Sequence, residues 1–332
     1  MAIRTIHYGI GAIGAAIARE FAGNTWFEVV GAIDAASDKV GASLGEVVGD
    51  DRLAGVAILP PEAKTWPDAD VVLHTTGSLL PGVLPQLQAC VERGLHVVSS
   101  CEELAFPYPR FEAIARQLDA QAKARGVSLL ATGVNPGFVM DTLPIALSAV
   151  CADVRSIRIT RVLDASNRRL PFQRKIGAGL TWQEFELKAA AGGFGHVGLR
   201  ESATAVAAAF GWEPHETEDT LQAIIADRDV TSPNLSVRRG EIAGLHQRLL
   251  VSHKGELKIT MELVMAMGAG DPRDEVEIDG DPPIHSVIPG GVQGDRATVG
   301  IMINAARAIN AAPRGLITMR DVPPLHWQAG VR

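Results

Sequence analysis

Between residues 9 and 14 the chain reads Gly9-Ile10-Gly11-Ala12-Ile13-Gly14, directly after an apolar run at Ile3–Tyr8. A helical pattern follows at once, with Ile13, Ile17, Ala18 and Phe21 at helix spacing. Glycines so placed between a strand and a helix leave few folds open. The first allows a tight turn, the second lets the backbone approach a pyrophosphate, and the third lets helix and strand pack closely. The helix N-terminus adds N–H groups and a positive dipole end. Gly9, Gly11, Ala12, Ile13 and Gly14 are therefore the expected cradle of a dinucleotide, against the plain alternative of an ordinary βα turn.

Asp34 follows the next strand, Phe27–Ile33, where a carboxylate accepts from a ribose 2′-hydroxyl and repels a 2′-phosphate. Lys39 lies close enough in sequence to soften that repulsion, so both NAD(H) and NADP(H) stay open. The competing reading of Asp34 is a solvated loop acid.

Strand and helix patterns alternate onward: strand Val71–His74, helix Leu84–Arg93 closed by Gly94, strand His96–Ser99, helix Phe111–Arg125 closed by Gly126, and strand Val127–Thr132. That alternation predicts βαβ units and a parallel sheet. After about residue 153 the period changes. Ser156–Leu163 reads as a strand, and Leu245–Ser252 with Glu256–Met267 as a hairpin about His253-Lys254-Gly255. Leu257, Ile259, Met261 and Leu263 alternate with Lys258, Thr260 and Glu262, and Asp274–Asp279 alternates likewise. This is the pattern of an antiparallel sheet with one wet face. The expected architecture is α/β: a Rossmann-type parallel-sheet domain over 1–150 and an α+β domain with a largely antiparallel sheet over 151–332. A C-terminal helix, at about 297–311, is expected to pack back on the first domain.

A net charge of −7, with the basic residues scattered, argues against a nucleic-acid or anionic-membrane partner. No apolar run reaches the length of a membrane span, and strand and turn occupy residues 3–14 where a signal peptide would need an apolar core. Three cysteines without a CxxC suit a reducing cytoplasm, and no metal site is expected.

The chemistry should sit on loops that follow the strands. His74-Thr75-Thr76-Gly77-Ser78 offers Thr75, Thr76 and Gly77 to the nicotinamide half of the cofactor. Ser99-Ser100-Cys101-Glu102-Glu103 admits three readings. Cys101 is a nucleophilic thiol, which needs a base and an oxyanion site; or a glutamate is a general acid/base; or the acids merely favour a helix N-terminus. Asn135-Pro136-Gly137-Phe138 is turn chemistry placed where it can touch cofactor or substrate. Residues 168–179 mix cations with Pro and Gly, and the glycine-rich stretch 192–198 carries His196; each is an anion or substrate contact, or a plain loop.

Taken together, Gly9–Gly14, Glu102-Glu103-Leu104, Gly133-Val134-Asn135-Pro136-Gly137-Phe138, Pro171–Leu180 and Gly195-His196-Val197-Gly198-Leu199 resemble the 2,4-diaminopentanoate dehydrogenases and the native amine dehydrogenases. The first domain in turn resembles dihydrodipicolinate reductase. The resemblance spans nearly the whole chain. It implies NAD(P)H-dependent reductive amination of a small ketone or aldehyde with ammonia, and the reverse deamination, by a homodimer paired through the antiparallel sheet. It also implies a catalytic glutamate after the fourth long strand. Glu102 matches best, standing where the related homoserine dehydrogenases place a lysine, with Glu103 the fallback. Asn135 and Pro136 are implied cofactor contacts, and Phe138, Phe172, Gln173 and His196 substrate contacts. Two alternatives remain: a C=N or C=C reductase that uses no ammonia, and a nucleotide-binding sensor without turnover.

Overall fold

The computed structural model describes residues 2–108, 110–191, 194–214 and 216–329. By contact the chain forms two compact units, one of Met1–Phe138 with Gln293–Arg332 and one of Val139–Val292.

The first unit runs β1 (Ile3–Tyr8), α1 (Ala12–Ala22), β2 (Phe27–Ile33), α2 (Leu44–Val48), β3 (Ile58–Leu59), β4 (Val71–His74), α3 (Leu80–Glu92), β5 (His96–Ser99), α4 (Glu112–Arg125) and β6 (Ser128–Ala131). The second contains α5 (Thr142–Leu147), β7 (Asp153–Asp164), α6 (Leu170–Lys175), α7 (Trp182–Ala190), α8 (Leu199–Ala209), β8 (Glu216–Ile225), β9 (Val230–Thr231), β10 (Ser236–Val237), β11 (Ile242–His253), β12 (Glu256–Ala266), β13 (Arg273–Asp281) and β14 (Ile284–Pro289). The chain then returns to the first unit with α9 (Gly294–Ala308) and β15 (Gly315–Ile317).

In the first unit seven strands lie in the order β15-β6-β5-β4-β1-β2-β3, every pair parallel. The expected parallel sheet is present, and its order reverses between β1 and β4. A reversal of that kind opens a ligand crevice at the carboxyl ends of the strands. Alternate residues of each strand feed opposite faces. Val72, Val97 and Leu129 join Leu80, Val83 and Leu87 of α3 and Leu118 of α4. Val71, Leu73, Val98 and Leu130 join Ile17 and Phe21 of α1 and Met302 and Ala305 of α9. Helix α3 begins at Leu80, four residues before the periodicity becomes visible. Pro81 sits in its first turn, where no intrahelical N–H is required.

The second unit is built on a six-stranded sheet, β14-β13-β7-β12-β11-β8, antiparallel except where β7 lies parallel to β12. The expected hairpin is there: β11 and β12 join at Lys254 and Gly255, both with positive φ (53° and 78°). That backbone matches the right-handed twist of the flanking strands. Ile259, Met261 and Leu263 face inward as the alternation predicts, whereas Leu257 is exposed and Thr260 is buried. The wet face is therefore only partly wet. Arg161 of β7 and Asp274 of β13 sit opposite each other as a buried ion pair at 2.9 Å. Asp274 Oδ2 also accepts from Val292 N–H, and Arg161 donates to the Val292 carbonyl, which anchors the end of this unit. Among the described residues no helix is long and apolar enough to cross a membrane.

Candidate active site

Register sets the site in the first unit. Ile33, Tyr8, His74, Ser99 and Ala131 lie side by side across β2, β1, β4, β5 and β6. The residues that follow them, Asp34, Gly9, Thr75, Ser100 and Thr132, therefore leave the sheet along one edge. Every segment expected to carry chemistry in this unit begins there.

The three glycines meet their surroundings differently. A Cβ on Gly9, whose φ is +96°, would lie 2.8 Å from the Thr75 backbone. One on Gly14 would lie 1.9 Å from the Gly9 carbonyl oxygen, so α1 packs on the turn only because no side chain is there. Gly11 has nothing within 4 Å and is exposed with Ala12 at the start of α1, with no side chain capping the helix. Two glycines are closed by packing and the middle one is open, as backbone approach by a pyrophosphate requires. Ile13 is half-buried in the first turn. The residues present fit a dinucleotide.

Asp34 accepts from Ile10 N–H (2.7 Å) and Ala36 N–H (2.8 Å), and Lys39 Nζ lies 3.3 Å from Oδ2. Burial opposes ionisation of this carboxyl, but those N–H donors and the ammonium outweigh it and hold it below the usual carboxylate range. Lys39 also donates to the Ile10 carbonyl, so the carboxylate and its counter-charge are both tied to the glycine turn.

Thr75 is used structurally: its N–H donates to Tyr8 and its hydroxyl to Gly9, closing the β4 loop onto the glycine turn. Thr76 is exposed, and Gly77 is half-buried. The β5 loop is a short 3-10 turn, Glu102–Leu104. Cys101 at its head is buried, its thiol pushed up to about 12 by burial and donating to the Ser78 carbonyl. Such a thiol stays protonated, and His96, at the opposite end of β5, gives it no base. The nucleophile reading of Cys101 is thereby corrected: desolvation makes it a packing group.

The two glutamates separate. Glu103 is 2% exposed. Its Oε2 accepts from Leu80 N–H at the start of α3 (2.7 Å), and its Oε1 pairs with Arg110 (3.0 Å). Both oxygens are thus occupied in joining this turn to a helix N-terminus. Glu102 is half-buried on the same turn. Asn135 and Pro136, joined by a cis peptide bond, are buried, and Phe138 is half-buried. A Cβ on Gly137 would lie 2.5 Å from Gly133 N, so this loop folds back on itself too tightly for another residue.

In the second unit Phe172 is half-buried under the Arg168 guanidinium, 4.4 Å from the ring centroid. Gln173, expected to touch substrate, is fully buried instead. Its amide NH2 donates to Ala165 O (3.0 Å) and Ser232 Oγ (3.1 Å), with Ser166 O within 3.3 Å of the same nitrogen. It is a tether, because a buried amide must spend its hydrogen bonds where they are available. His196 is half-buried, its backbone N–H held by Gln247 Oε1 at 3.0 Å. Gly192 and Gly193 of the same stretch lie outside the described residues. No group of three His, Cys, Asp or Glu is placed to hold a metal among the described residues.

Sequence reasoning passed over His74, Ser99 and Gln86, which join beneath the β4 and β5 loops. The available signal was a histidine closing an apolar strand, Val71-Val72-Leu73-His74.

Comparison with known proteins identifies the family. Residues 138–330 match the model of the 2,4-diaminopentanoate dehydrogenase C-terminal domain. The chain is 32% identical to 2,4-diaminopentanoate dehydrogenase of Acetoanaerobium sticklandii, over 97% of its own length and 93% of the relative's. Among solved structures it resembles the amine dehydrogenase from Mycobacterium smegmatis, with a TM-score of 0.85 and 22% identity, covering 100% of this chain and 99% of that one. The myo-inositol 2-dehydrogenase of Lactobacillus plantarum shares the fold at a TM-score of 0.59 and 12% identity, over 97% and 93% of the two chains. The chain is an NAD(P)-dependent oxidoreductase and belongs to the 2,4-diaminopentanoate dehydrogenase family.

Proposed function

We propose that this protein catalyses NAD(P)H-dependent reductive amination of a small ketone or aldehyde with ammonia, and the reverse deamination, with Glu102 as its acid/base. The observation that carries the assignment is the division of labour on the 3-10 turn. Glu103 joins the turn to Leu80 and Arg110 and so serves the fold; Glu102, half-buried on the edge that also holds the glycine cradle, is the residue to which the family resemblance gives the chemistry.

The overall change balances as carbonyl, ammonium and reduced cofactor giving amine, oxidised cofactor and water. At neutral pH ammonia is mostly ammonium, which has no lone pair for attack. The Glu102 carboxylate takes a proton from it, nitrogen adds to the carbonyl carbon, and a carbinolamine forms. Glu102, now a carboxylic acid, gives its proton to the departing hydroxyl, which leaves as water. The chemistry a bound nicotinamide would supply is the hydride that reduces the resulting iminium carbon. Gly9, Gly11, Ala12, Ile13 and Gly14 would hold the pyrophosphate, and Asp34 the adenosine ribose. Thr75, Thr76, Gly77, Asn135 and Pro136 would border the nicotinamide half. Substrate contacts are assigned to Phe138, Phe172 and His196. Lys39 beside Asp34 supports use of both NAD(H) and NADP(H).

A homodimer through the six-stranded sheet is part of the same reading. One face of that sheet carries Arg158, Arg248, Glu262 and Glu277, charges of both signs that suit a two-fold pairing. Three free cysteines suit a cytoplasmic location.

NAD(P)H oxidation against small ketones and aldehydes, with and without ammonium, tests the reaction, and light scattering tests the dimer. Turnover only with ammonium is expected. Ammonium-independent turnover would replace the reading with a plain C=N or C=C reductase, and NADH binding without turnover would make the protein a sensor.

A further inference from the structure

Beneath the β4 and β5 loops lies a buried histidine to which the amination chemistry gives no part. His74 ends β4 in register with Ser99, the last residue of β5. Its Nδ1 lies 2.9 Å from Ser99 Oγ, and its Nε2 lies 2.9 Å from both Gln86 Oε1 and Thr76 Oγ1. Burial lowers the imidazole to about 4, so the ring is neutral near pH 7.

The neighbours select its tautomer. Gln86 Oε1 can only accept, so Nε2 carries the proton and shares it between that oxygen and Thr76 Oγ1. Nδ1 then accepts from the Ser99 hydroxyl, and Ser99 Oγ accepts the Cys101 N–H at 3.1 Å. On the other side Thr76 Oγ1 donates to the same Gln86 oxygen at 2.5 Å. Above this chain the loops are fastened again: Ser100 N–H donates to the His74 carbonyl, Glu103 N–H and the Cys101 thiol to the Ser78 carbonyl.

We propose that His74 is a positioning residue whose two ring nitrogens hold, at the same time, the Thr76 hydroxyl of the cofactor loop and, through Ser99, the backbone that begins the Glu102 turn. The inference rests on the reading that both loops border the reacting centre. A misplacement on the scale of an ångström between reacting groups can cost two orders of magnitude in rate. A rigid link at the root of both loops would hold them in step.

The two arms can be cut separately. His74→Asn keeps an acceptor at the Nδ1 position and loses the Nε2 arm; His74→Gln keeps a donor near Nε2 and loses the Nδ1 arm. Ser99→Ala cuts the Glu102 side without touching the ring, and remains informative should a His74 variant fail to fold. NADH affinity by fluorescence titration, kcat with saturating ammonium, and the pH profile of kcat are the readouts. His74→Asn is expected to weaken NADH binding about fivefold with an unchanged pH profile. His74→Gln and Ser99→Ala are expected to leave NADH affinity intact, lower kcat about tenfold, and shift the acidic limb of the profile. Folded variants with affinity, kcat and pH profile all within about twofold of wild type would overturn the proposal. Wild-type turnover in Glu102→Gln would instead overturn the placement of Glu102, while the Thr76 arm is still read in NADH affinity.

Discussion

The carboxyl edge of the seven-stranded sheet and the loop around α6 both gather polar residues, and they use them in opposite ways. At the edge, backbone does most of the holding: Thr75 N–H on Tyr8, Ser100 N–H on His74, Thr132 N–H on Ser99. Side chains such as Thr76 and Glu102 therefore stand on loops whose course is already fixed. Around α6 a side chain does the holding, since Gln173 supplies the bonds that join Ala165, Ser166 and Ser232. At the edge the course of the loops is set by the main chain; around α6 it is set by a side chain.

The adjacent glutamates test this contrast most severely. Glu102→Gln should lower kcat by about 10²–10⁴-fold, the usual worth of a general acid/base, with little change in melting temperature. Glu103→Gln should do the reverse, costing about 1–3 kcal/mol of stability as the start of α3 loses its charged acceptor, with kcat within about tenfold of wild type. Steady-state kinetics beside thermal melts separates the two, and a swap of outcomes would move the catalytic role to Glu103. Gln173→Ala should likewise cost about 1–3 kcal/mol by removing the buried amide that joins Ala165 to Ser232, while KM for the carbonyl stays unchanged. A raised KM at unchanged stability would return Gln173 to the substrate pocket.

The first sheet should also be the more acid-sensitive region. Burial holds His7 at about 3 and His74 at about 4, against a usual value of 6.5. Above pH 6.5 both are neutral whether folded or not, and their contribution is complete. As pH falls below 6.5 the unfolded chain takes up protons that the folded one refuses, so stability drains until pH reaches the folded values near 4 and 3. Each site contributes up to about 1.4 kcal/mol per pH unit within its window. Urea melts between pH 7.5 and 4.5 should show the decline, and His7→Gln should remove one share of it. The smallest effect belongs to Lys39. Its replacement by Ala strips the counter-charge from Asp34, which should weaken NADPH relative to NADH by about two- to fivefold, in keeping with a partly exposed pair. Titration with both cofactors reads it.

Much of the first unit was legible because its strands are short apolar runs with abrupt ends. Ile3–Tyr8, Phe27–Ile33, Val71–His74 and His96–Ser99 stand at the residues expected. The edge strand β8 was not, because the polar run Glu216-Thr217-Glu218-Asp219-Thr220 on a strand paired on one side only (Glu218 and Asp219 are both exposed) erases the alternation. Three-residue β15 carries too little pattern to be seen at all; only its pairing with β6 makes it a strand. The site followed the same rule. Glycine spacing revealed the cradle, but the difference between Glu102 and Glu103 depends on where Leu80 and Arg110 arrive from elsewhere in the fold. The tether role of Gln173 likewise depends on Ser232, far away in sequence.

The return of α9 and β15 to the first sheet has a consequence in time. Synthesis proceeds from the N-terminus, and domains generally fold as they emerge. The glycine turn, Asp34 and the loops after β4, β5 and β6 are all made within the first compact segment, ending at Phe138. The cover for one face of their sheet is not. Ile17, Phe21, Leu73 and Val98 must wait for Met302 and Ala305, which leave the ribosome only after the whole of Val139–Val292. The nascent chain therefore carries its ligand-edge segments with one face of their sheet uncovered throughout the making of its second unit.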